Sequence, residues 1–251
     1  MKPQINRVPT GIPGFDELVG GGFPENFVIL LAGTPGTGKS IISLEYIYNG
    51  ATKFNENGVY ITLEQTPEDL KKQALQFGWD FDALEREGKI VIEGIEELGV
   101  EATIKKIRGI VEKTNAKRLV VDSLSGMQAL LSIHRELLSQ VGSSLSFGPD
   151  SPIRIIPDKE SMRKIIWNIF RDLKKLNCTA LIPSEIPVGT ELLSSDGVSE
   201  FACDGIIEIR AVPVMSVVKR RLTVRKMRQT KIDPMPKDFE FTEKGVIVAQ
   251  K

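Results

Sequence analysis

The chain has 251 residues, 41% of them hydrophobic and 26% charged, which is typical of a globular protein with a sizeable core. Its 33 Lys and Arg residues balance 33 Asp and Glu residues, and a net charge of zero disfavours a protein whose main task is to coat nucleic acid. No apolar run is long enough to predict a membrane span, and the first residues lack the apolar core of a signal peptide. Cys178 and Cys203 lie in apolar runs without metal-ligand spacing, as expected of reduced core residues in a cytoplasmic protein. We expect residues 1–251 to form a single domain.

Residues 8–26 are rich in Gly and Pro and form a lead-in segment. Residues 10–18 predict a turn followed by a short helical piece, and residues 20–24 predict a second turn. Turn chemistry alone suggests that this segment caps the edge of a sheet.

Residues 33–40 read Gly-Thr-Pro-Gly-Thr-Gly-Lys-Ser, the spacing of a phosphate-binding loop. The apolar run 27–32 before it predicts a buried strand, and apolar residues at helical spacing follow it. Glycines allow backbone N–H groups to surround an anion, and the helix N-terminus favours negative charge. Lys39 can reach the β- and γ-phosphates of a nucleotide, and the Ser40 hydroxyl can bind Mg²⁺. The predicted nucleotide-binding residues are Thr34, Pro35, Gly36, Thr37, Gly38, Lys39, Ser40 and Ile41.

Glu64 follows a predicted strand at 59–63 and precedes a helix that begins with Pro67 and two acidic residues. We expect this strand to lie beside the strand of the phosphate loop, at the edge where open α/β sheets bind ligands. A carboxylate there can orient and deprotonate an attacking water molecule. The alternative is a polar residue that merely ends a strand.

Asp122 ends a predicted strand at 118–122. An aspartate at this place in a nucleotide-binding sheet holds Mg²⁺, often through water. The signal is weak alone, since many strands end in Asp, and gains weight beside a phosphate loop. We therefore predict Ser40 and Asp122 as the metal-binding residues.

Two irregular stretches, 139–158 and 186–197, are punctuated by Gly, Pro and Ser and are predicted to be mobile loops. Residues 78–88 predict a polar connection, and the single histidine, His134, is assigned no chemistry. The remaining predicted elements are helices at 100–114, 128–138 and 161–176, and strands at 89–92 and 178–182.

The C-terminal part predicts a β-rich tail from residue 205 onwards. Residues 219–231 hold seven basic residues and no acidic one. On a strand, Lys226 and Arg228 share a face because side chains alternate. This pair suits a phosphate, although an exposed basic strand that protects a sheet edge explains it equally well.

These motifs together resemble the RecA-like ATPases, and within them a single-domain KaiC-family protein. The resemblance covers essentially the whole chain. It implies an α/β fold, a RecA-like three-layer sandwich with a mainly parallel twisted sheet flanked by helices and a β-rich C-terminal tail. Its carriers are the stretches 11–16, 33–40, 60–69, 120–123 and 225–228.

The resemblance also implies a mechanism. Glu64 is similar to the glutamate that activates water, and Lys226 and Arg228 resemble a Lys-x-Arg pair that enters the neighbouring subunit's nucleotide site. ATP or ADP and Mg²⁺ would then bind at subunit interfaces of a homo-oligomer, with a hexameric ring expected. Basic groups supplied in trans contribute about 10³–10⁵ in the rate of phosphoryl transfer. The catalytic set expected from this is Glu64, Lys39, Lys226 and Arg228.

The sequence departs from the family at Gln65, where many members carry a second glutamate that could act as a base. The two-domain clock protein of the family phosphorylates itself, and that role is not transferred to this chain. The two irregular loops fall where RecA-type recombinases place DNA loops, but lack the basic and aromatic mixture of strand-binding segments.

Three functions stay open from the sequence. The first is a Mg²⁺-dependent ATPase with a regulatory or signalling role and an unknown protein partner. The second is a DNA-associated recombination or repair accessory ATPase, which the neutral charge does not favour. The third is an ATP-binding module or protein kinase with little hydrolysis.

Overall fold

The computed structural model describes residues 5–96, 99–128, 159–187, 189–190, 192–215 and 217–250. The predicted helix at 128–138, apart from residue 128, and the loop 139–158 lie outside these residues, as does His134. Residues 124–128 are helical. Within the described residues, no helix is long and apolar enough to cross a membrane.

The strands follow the alternating pattern of apolar runs in the sequence. Two short ones, β1 (Arg7–Val8) and β2 (Phe23–Pro24), pair with each other in the lead-in. The others are β3 (Val28–Gly33), β4 (Gly58–Thr62), β5 (Ile90–Gly94), β6 (Arg118–Asp122), β7 (Thr179–Glu185), β8 (Gly205–Val214), β9 (Val217–Met227), β10 (Lys237–Thr242) and β11 (Gly245–Val248).

Among the described helices, α2 (Pro67–Leu75) begins at residues that favour a helix start. α2 begins with Pro67 behind a Thr66 cap whose hydroxyl accepts the Asp69 N–H at 3.2 Å. A 3₁₀ turn at Asp16–Val19 matches the predicted helical piece of the lead-in. The α-helices are α1 (Lys39–Lys53), α2 (Pro67–Leu75), α3 (Phe81–Arg86), α4 (Val100–Thr114), α5 (Lys159–Lys174) and α6 (Ser199–Ala202).

Nine of the described strands form one sheet in the order β11-β10-β9-β8-β3-β7-β6-β4-β5. The six strands from β8 to β5 are mutually parallel, and β9, β10 and β11 extend the sheet in antiparallel pairing. This confirms the predicted mainly parallel sheet with a β-rich C-terminal tail.

Helices cover both faces of the sheet, which gives the three layers expected. Side chains of each parallel strand alternate between two cores, so Ile29 and Leu31 pack with α1 and α2, whereas Val28 and Leu30 pack with α4 and α5. Strands buried on both faces explain the continuous apolar runs seen in the sequence.

Two expectations about the fold are wrong. The stretch 78–88 contains α3, a helix that is capped by Asp80 and that buries its own Phe81 and Leu84 side chains. The strand before Glu64, β4, is not the neighbour of β3, since β6 and β7 lie between them. Chain order does not determine strand order when every connection is a crossover.

The lead-in is part of the core as well as a cover for it. Ile12, Phe15 and Phe23 are buried with α1. Arg7 donates to the carbonyls of Val19 and Gly22 at 2.8 and 2.9 Å, which closes the segment on itself.

Glu45 joins α1 to the β10–β11 hairpin. It lies inside the protein, and its carboxylate accepts the Val246 N–H at 2.8 Å. A Cβ at Gly245 would come within 2.8 Å of that carboxylate. Burial raises the pKa of Glu45 from its ordinary 4.5 to about 7, with the Val246 hydrogen bond opposing the shift.

This pKa predicts a pH-dependent stability. The folded protein holds a proton on Glu45 between about pH 4.5 and 7 that the unfolded chain releases, so the unfolding free energy falls as pH rises through this window. We expect Glu45→Gln to remove that slope. Between pH 4.5 and pH 8, the unfolding free energy of the variant should therefore increase by about 2–3 kcal/mol relative to that of wild type. Urea denaturation at several pH values measures it, and a wild-type slope retained in the variant would contradict it.

Candidate functional site

A cleft of about 380 Å³ opens at the carboxyl edge of the parallel strands, above the phosphate loop. It lies where ligands bind in open α/β sheets. Its described lining residues are Pro35, Gly36, Gly38, Lys39, Ser40, Ile41, Glu64, Gln65, Gln73, Asp122, Ser123, Glu185 and Phe241.

The phosphate loop runs from the end of β3 into the first turn of α1. Gly36 and Gly38 have φ angles of 76° and 102°, which other residues rarely adopt. A Cβ on Gly38 would lie 2.2 Å from the Phe241 ring, so the tail also forbids a side chain there. Thr37 is buried and donates its hydroxyl to the Thr34 carbonyl at 2.8 Å.

Lys39 turns back onto its own loop. Its ammonium group donates to the carbonyls of Gly33 at 2.9 Å and Thr34 at 3.1 Å. Burial lowers the pKa of Lys39, while the nearby carboxylates of Glu185, Asp122 and Glu64 oppose that shift. The ammonium therefore lies in a partly dry cleft among three acidic groups.

Asp122 lies at the floor of the cleft, at the end of β6. The Tyr60 hydroxyl donates to its Oδ2 at 2.5 Å, and the Ser40 hydroxyl is also hydrogen-bonded to Asp122. Burial raises the pKa of Asp122, and these two hydrogen bonds oppose the shift because they stabilise the charged form.

Glu64 reaches this cleft even though β4 is three strands away from β3. The Leu63 N–H donates to the Asp122 carbonyl at 2.7 Å, so the ends of β4 and β6 stay paired beyond their last strand residues. The Ser123 hydroxyl donates to Glu64 Oε1 and accepts the Gly126 N–H at 3.2 Å. Glu64 and Asp122 thus line one cavity together with Lys39.

Gln65 also lines the cleft, next to Glu64. Its side-chain oxygen accepts a hydrogen bond from Gln73 Nε2 at 2.8 Å, which orients it from α2. An amide in this place can hydrogen-bond but cannot take up a proton.

Sequence reasoning missed four lining residues, which are Glu185, Ser123, Gln73 and Phe241. It also missed Tyr60, which contacts Asp122 but does not line the cleft. Glu185 ends β7 and lies opposite Gly33 in register, so the strand-end rule used for Glu64 could have found it. Ser123 follows Asp122 directly. No sequence signal marks Tyr60 or Phe241. Tyr60 acts through its hydrogen bond to Asp122 on β6, and Phe241 packs from the C-terminal tail against Gly38 of the phosphate loop.

The oxygen groups of the cleft fit a magnesium ion. Mg²⁺ prefers oxygen ligands and is commonly held by one or two protein groups together with substrate phosphates. The Ser40 hydroxyl and the Asp122 carboxylate are hydrogen-bonded to each other beside Lys39, so they could receive such an ion together.

Lys226 and Arg228 lie away from this cleft. Met227 pairs with Gly205, which pairs with Ile29 at the start of β3, whereas the phosphate loop follows Gly33. Four residues of strand correspond to about 13 Å, so the pair lies at the opposite edge of the same sheet. The strand itself ends at Met227, and a register shift near Ile206 lies beside it.

The loop 186–197 is irregular in its described residues, as predicted. Asp196 organises it by accepting the N–H groups of Val198 at 2.6 Å and Ser199 at 2.7 Å, and a bond from Gln128 Nε2 at 2.5 Å. Its mobility stays a prediction.

Comparison with known proteins agrees with this geometry. The chain matches the sequence model of the KaiC ATPase family over residues 8–146 and 151–251. It is 35% identical over 245 residues to a UPF0273 protein of Methanocaldococcus jannaschii, covering 97% of this chain and 96% of the relative. A UPF0273 protein of Thermotoga maritima is 35% identical over 246 residues, with 98% and 96% covered.

A solved structure has the same fold. The crystal structure of a KaiC-like protein from Pyrococcus horikoshii superposes with a TM-score of 0.79 and 32% sequence identity, covering 98% of this chain and all of that one. The phosphate loop, the strand-end carboxylates and the fold are thus found together with a family match over residues 8–146 and 151–251. The chain belongs to the KaiC family of ATPases.

Proposed function

We propose that this protein is a Mg²⁺-dependent ATPase that works as a homo-oligomer, a hexameric ring with ATP or ADP at its subunit interfaces, in a regulatory or signalling role. The observation that supports hydrolysis best is the position of Glu64. Its carboxylate shares one cleft with the phosphate-loop Lys39 and with Asp122. A cleft that only stored nucleotide would not need a carboxylate facing the phosphates.

In this proposal, the backbone of residues 34–41 surrounds the phosphates, and Lys39 exchanges its two loop carbonyls for β- and γ-phosphate oxygens. Ser40 and Asp122 would hold a bound Mg²⁺ ion. When bound, Mg²⁺ would neutralise charge on the phosphates.

Glu64 orients the attacking water and accepts its proton as the water oxygen bonds to the γ-phosphorus. The bond to the leaving oxygen breaks, and ADP keeps that electron pair. The hydrogen bond from Ser123 limits the orientations that the Glu64 carboxylate can take.

Lys226 and Arg228 act on the γ-phosphate of a neighbouring copy. Their location at the opposite edge of the sheet supports action in trans, because neither lines the cleft of its own chain. A ring in which one copy's amino edge meets the next copy's cleft completes every site.

A role on DNA has less support. The loop 186–197 contains no Lys or Arg. Several residues of the basic tail are engaged within the chain: Lys219 and Arg221 both contact Asp238 at 2.9 Å.

The first prediction of this proposal tests the role of Glu64 as the general base. Glu64→Gln keeps the size of the side chain but cannot accept the proton, so we expect ATP turnover to fall by about 10²–10⁴ while nucleotide affinity is retained. Phosphate release and equilibrium binding of a fluorescent ATP analogue measure the two properties. Normal hydrolysis by Glu64→Gln would show that Glu64 is not the base.

The second prediction concerns Asp122 and pH. Because burial raises its pKa, Asp122 takes up a proton at a higher pH than an exposed aspartate, and Mg²⁺-dependent nucleotide binding weakens as pH falls. Tyr60→Phe removes a donor to the charged form of Asp122, so we expect this loss to begin at a higher pH than in wild type.

The measurement is Mg²⁺-nucleotide affinity between pH 4 and 8. Tyr48→Phe is the matched control, since Tyr48 stacks on Trp79 with ring centroids 5.7 Å apart and does not line the cleft. Identical pH profiles for Tyr60→Phe and wild type would contradict the role of this hydrogen bond.

A further inference from the structure

We infer that Asp204 is a positioning residue for Arg228 of the basic pair, and that it directs the Arg228 side chain out of its own chain toward a neighbouring copy. The inference rests on the proposed function, since it concerns the groups that complete a neighbour's nucleotide site. Asp204 lies between α6 and β8, at the amino edge of the sheet.

The Asp204 carboxylate is buried and shared by three donors. Its Oδ1 accepts Lys174 Nζ at 2.7 Å and Arg228 NH1 at 2.9 Å, and its Oδ2 accepts the Val28 N–H at 3.2 Å. The side chain of Asp204 is only 7% exposed. A buried carboxylate needs such partners, so its position is fixed by all three.

The backbone of Asp204 repeats the same connections. Its N–H donates to the Val28 carbonyl at 2.9 Å, and its carbonyl accepts the Arg228 N–H at 2.9 Å. Arg228 is therefore held at both its backbone and its guanidinium group by one residue. The side chain of Arg228 is still 46% exposed, which leaves part of it free to meet another molecule.

Lys226 is held by the segment just before Asp204. Its ammonium donates to the carbonyls of Glu200 at 2.9 Å and Cys203 at 2.7 Å, at the end of α6, where helical carbonyls lack intrahelical partners. Burial is the main cause that lowers the pKa of Lys226. Residues 200–204 thus form a cradle for both basic groups.

This cradle is tied to the strand that carries the phosphate loop. Val28 begins β3, and β3 ends at Gly33. A shift of β3 when nucleotide binds would be passed to Asp204 through two hydrogen bonds, and from there to Arg228. Each copy would then present its basic pair according to the state of its own site.

The alternative is that Asp204 only neutralises Lys174 and Arg228 and stabilises the fold. The two explanations differ in where the defect appears. A positioning role affects turnover in the neighbour's cleft, whereas a purely structural role lowers stability and affects the copy that carries the substitution.

The test begins with Asp204→Asn, which keeps the shape and the acceptor for Val28 but removes the charge. Since a displacement of about 1 Å costs up to about 10²-fold in rate, we expect kcat to fall by about 10–100-fold, with nucleotide affinity within about twofold of wild type. Asp238→Asn is the matched control. Asp238 pairs with Lys219 and Arg221, which lie on the same strand as Lys226 but away from the cradle, so turnover should be unchanged.

A mixing experiment locates the defect. Asp204→Asn copies have an intact cleft but a displaced basic pair, and Glu64→Gln copies have the reverse. An assembly of either variant alone therefore hydrolyses ATP slowly. In an equimolar mixed assembly, about one quarter of the sites combine an intact cleft with an intact basic pair, and we expect turnover to rise to about that fraction of wild type.

If Asp204→Asn does not fold, judged by thermal melting, Asp204→Glu replaces it. This variant keeps the charge but moves it outward by one methylene, and we expect at least a threefold loss of kcat, with turnover of the mixed assembly above the mean of the two separate variants. Wild-type turnover by the folded variant, or no recovery on mixing, overturns the inference.

These outcomes are separate from a failure of the proposed function. Absence of ATP hydrolysis by wild type, or full activity of Glu64→Gln, would refute the proposed ATPase mechanism. An active wild type and an inactive Glu64→Gln, together with a normal folded Asp204 variant, would refute the positioning role alone.

Discussion

The parallel pairing of β3, β7, β6 and β4 is the constraint on which the site depends. Strands that run the same way end at one edge, so the residues that follow them are gathered there whatever their distance in sequence. Gly33 lies in register with Glu185, and Thr62 with Asp122. Lys39, Glu185, Asp122 and Glu64 meet because of this geometry. The three carboxylates attract the Lys39 ammonium, which offsets part of the cost of burying its charge, whereas the Glu64 and Asp122 carboxylates repel each other.

The same constraint separates the two halves of the proposed machinery. A residue at the amino edge of the sheet cannot reach the cleft at the carboxyl edge of its own chain. Lys226 and Arg228 lie at the amino edge, anchored by Asp204 and by the carbonyls at the end of α6. A site completed by such residues needs two copies, so oligomeric assembly and turnover are linked in this proposal.

Much of the fold and of the candidate site could be predicted from local sequence. The phosphate loop, Asp122 and the boundaries of most strands follow from spacing and apolar runs, and the structure bears out the predicted sheet. The order of strands could not be predicted, because it depends on how crossovers pack, and β4 was therefore expected beside β3. Phe241 and Tyr60 were missed for the same reason, since each meets its partner only through tertiary packing. Glu185 was predictable and overlooked.

The most direct test of the central claim is ATP turnover per chain as a function of protein concentration, with particle mass measured in the same samples and single-stranded DNA absent and then present. The account predicts that specific turnover rises as oligomers of about six copies form and that DNA leaves it unchanged. Constant specific activity from monomer to oligomer would contradict a site completed by a neighbour. Stimulation by DNA would instead favour a recombination or repair accessory ATPase.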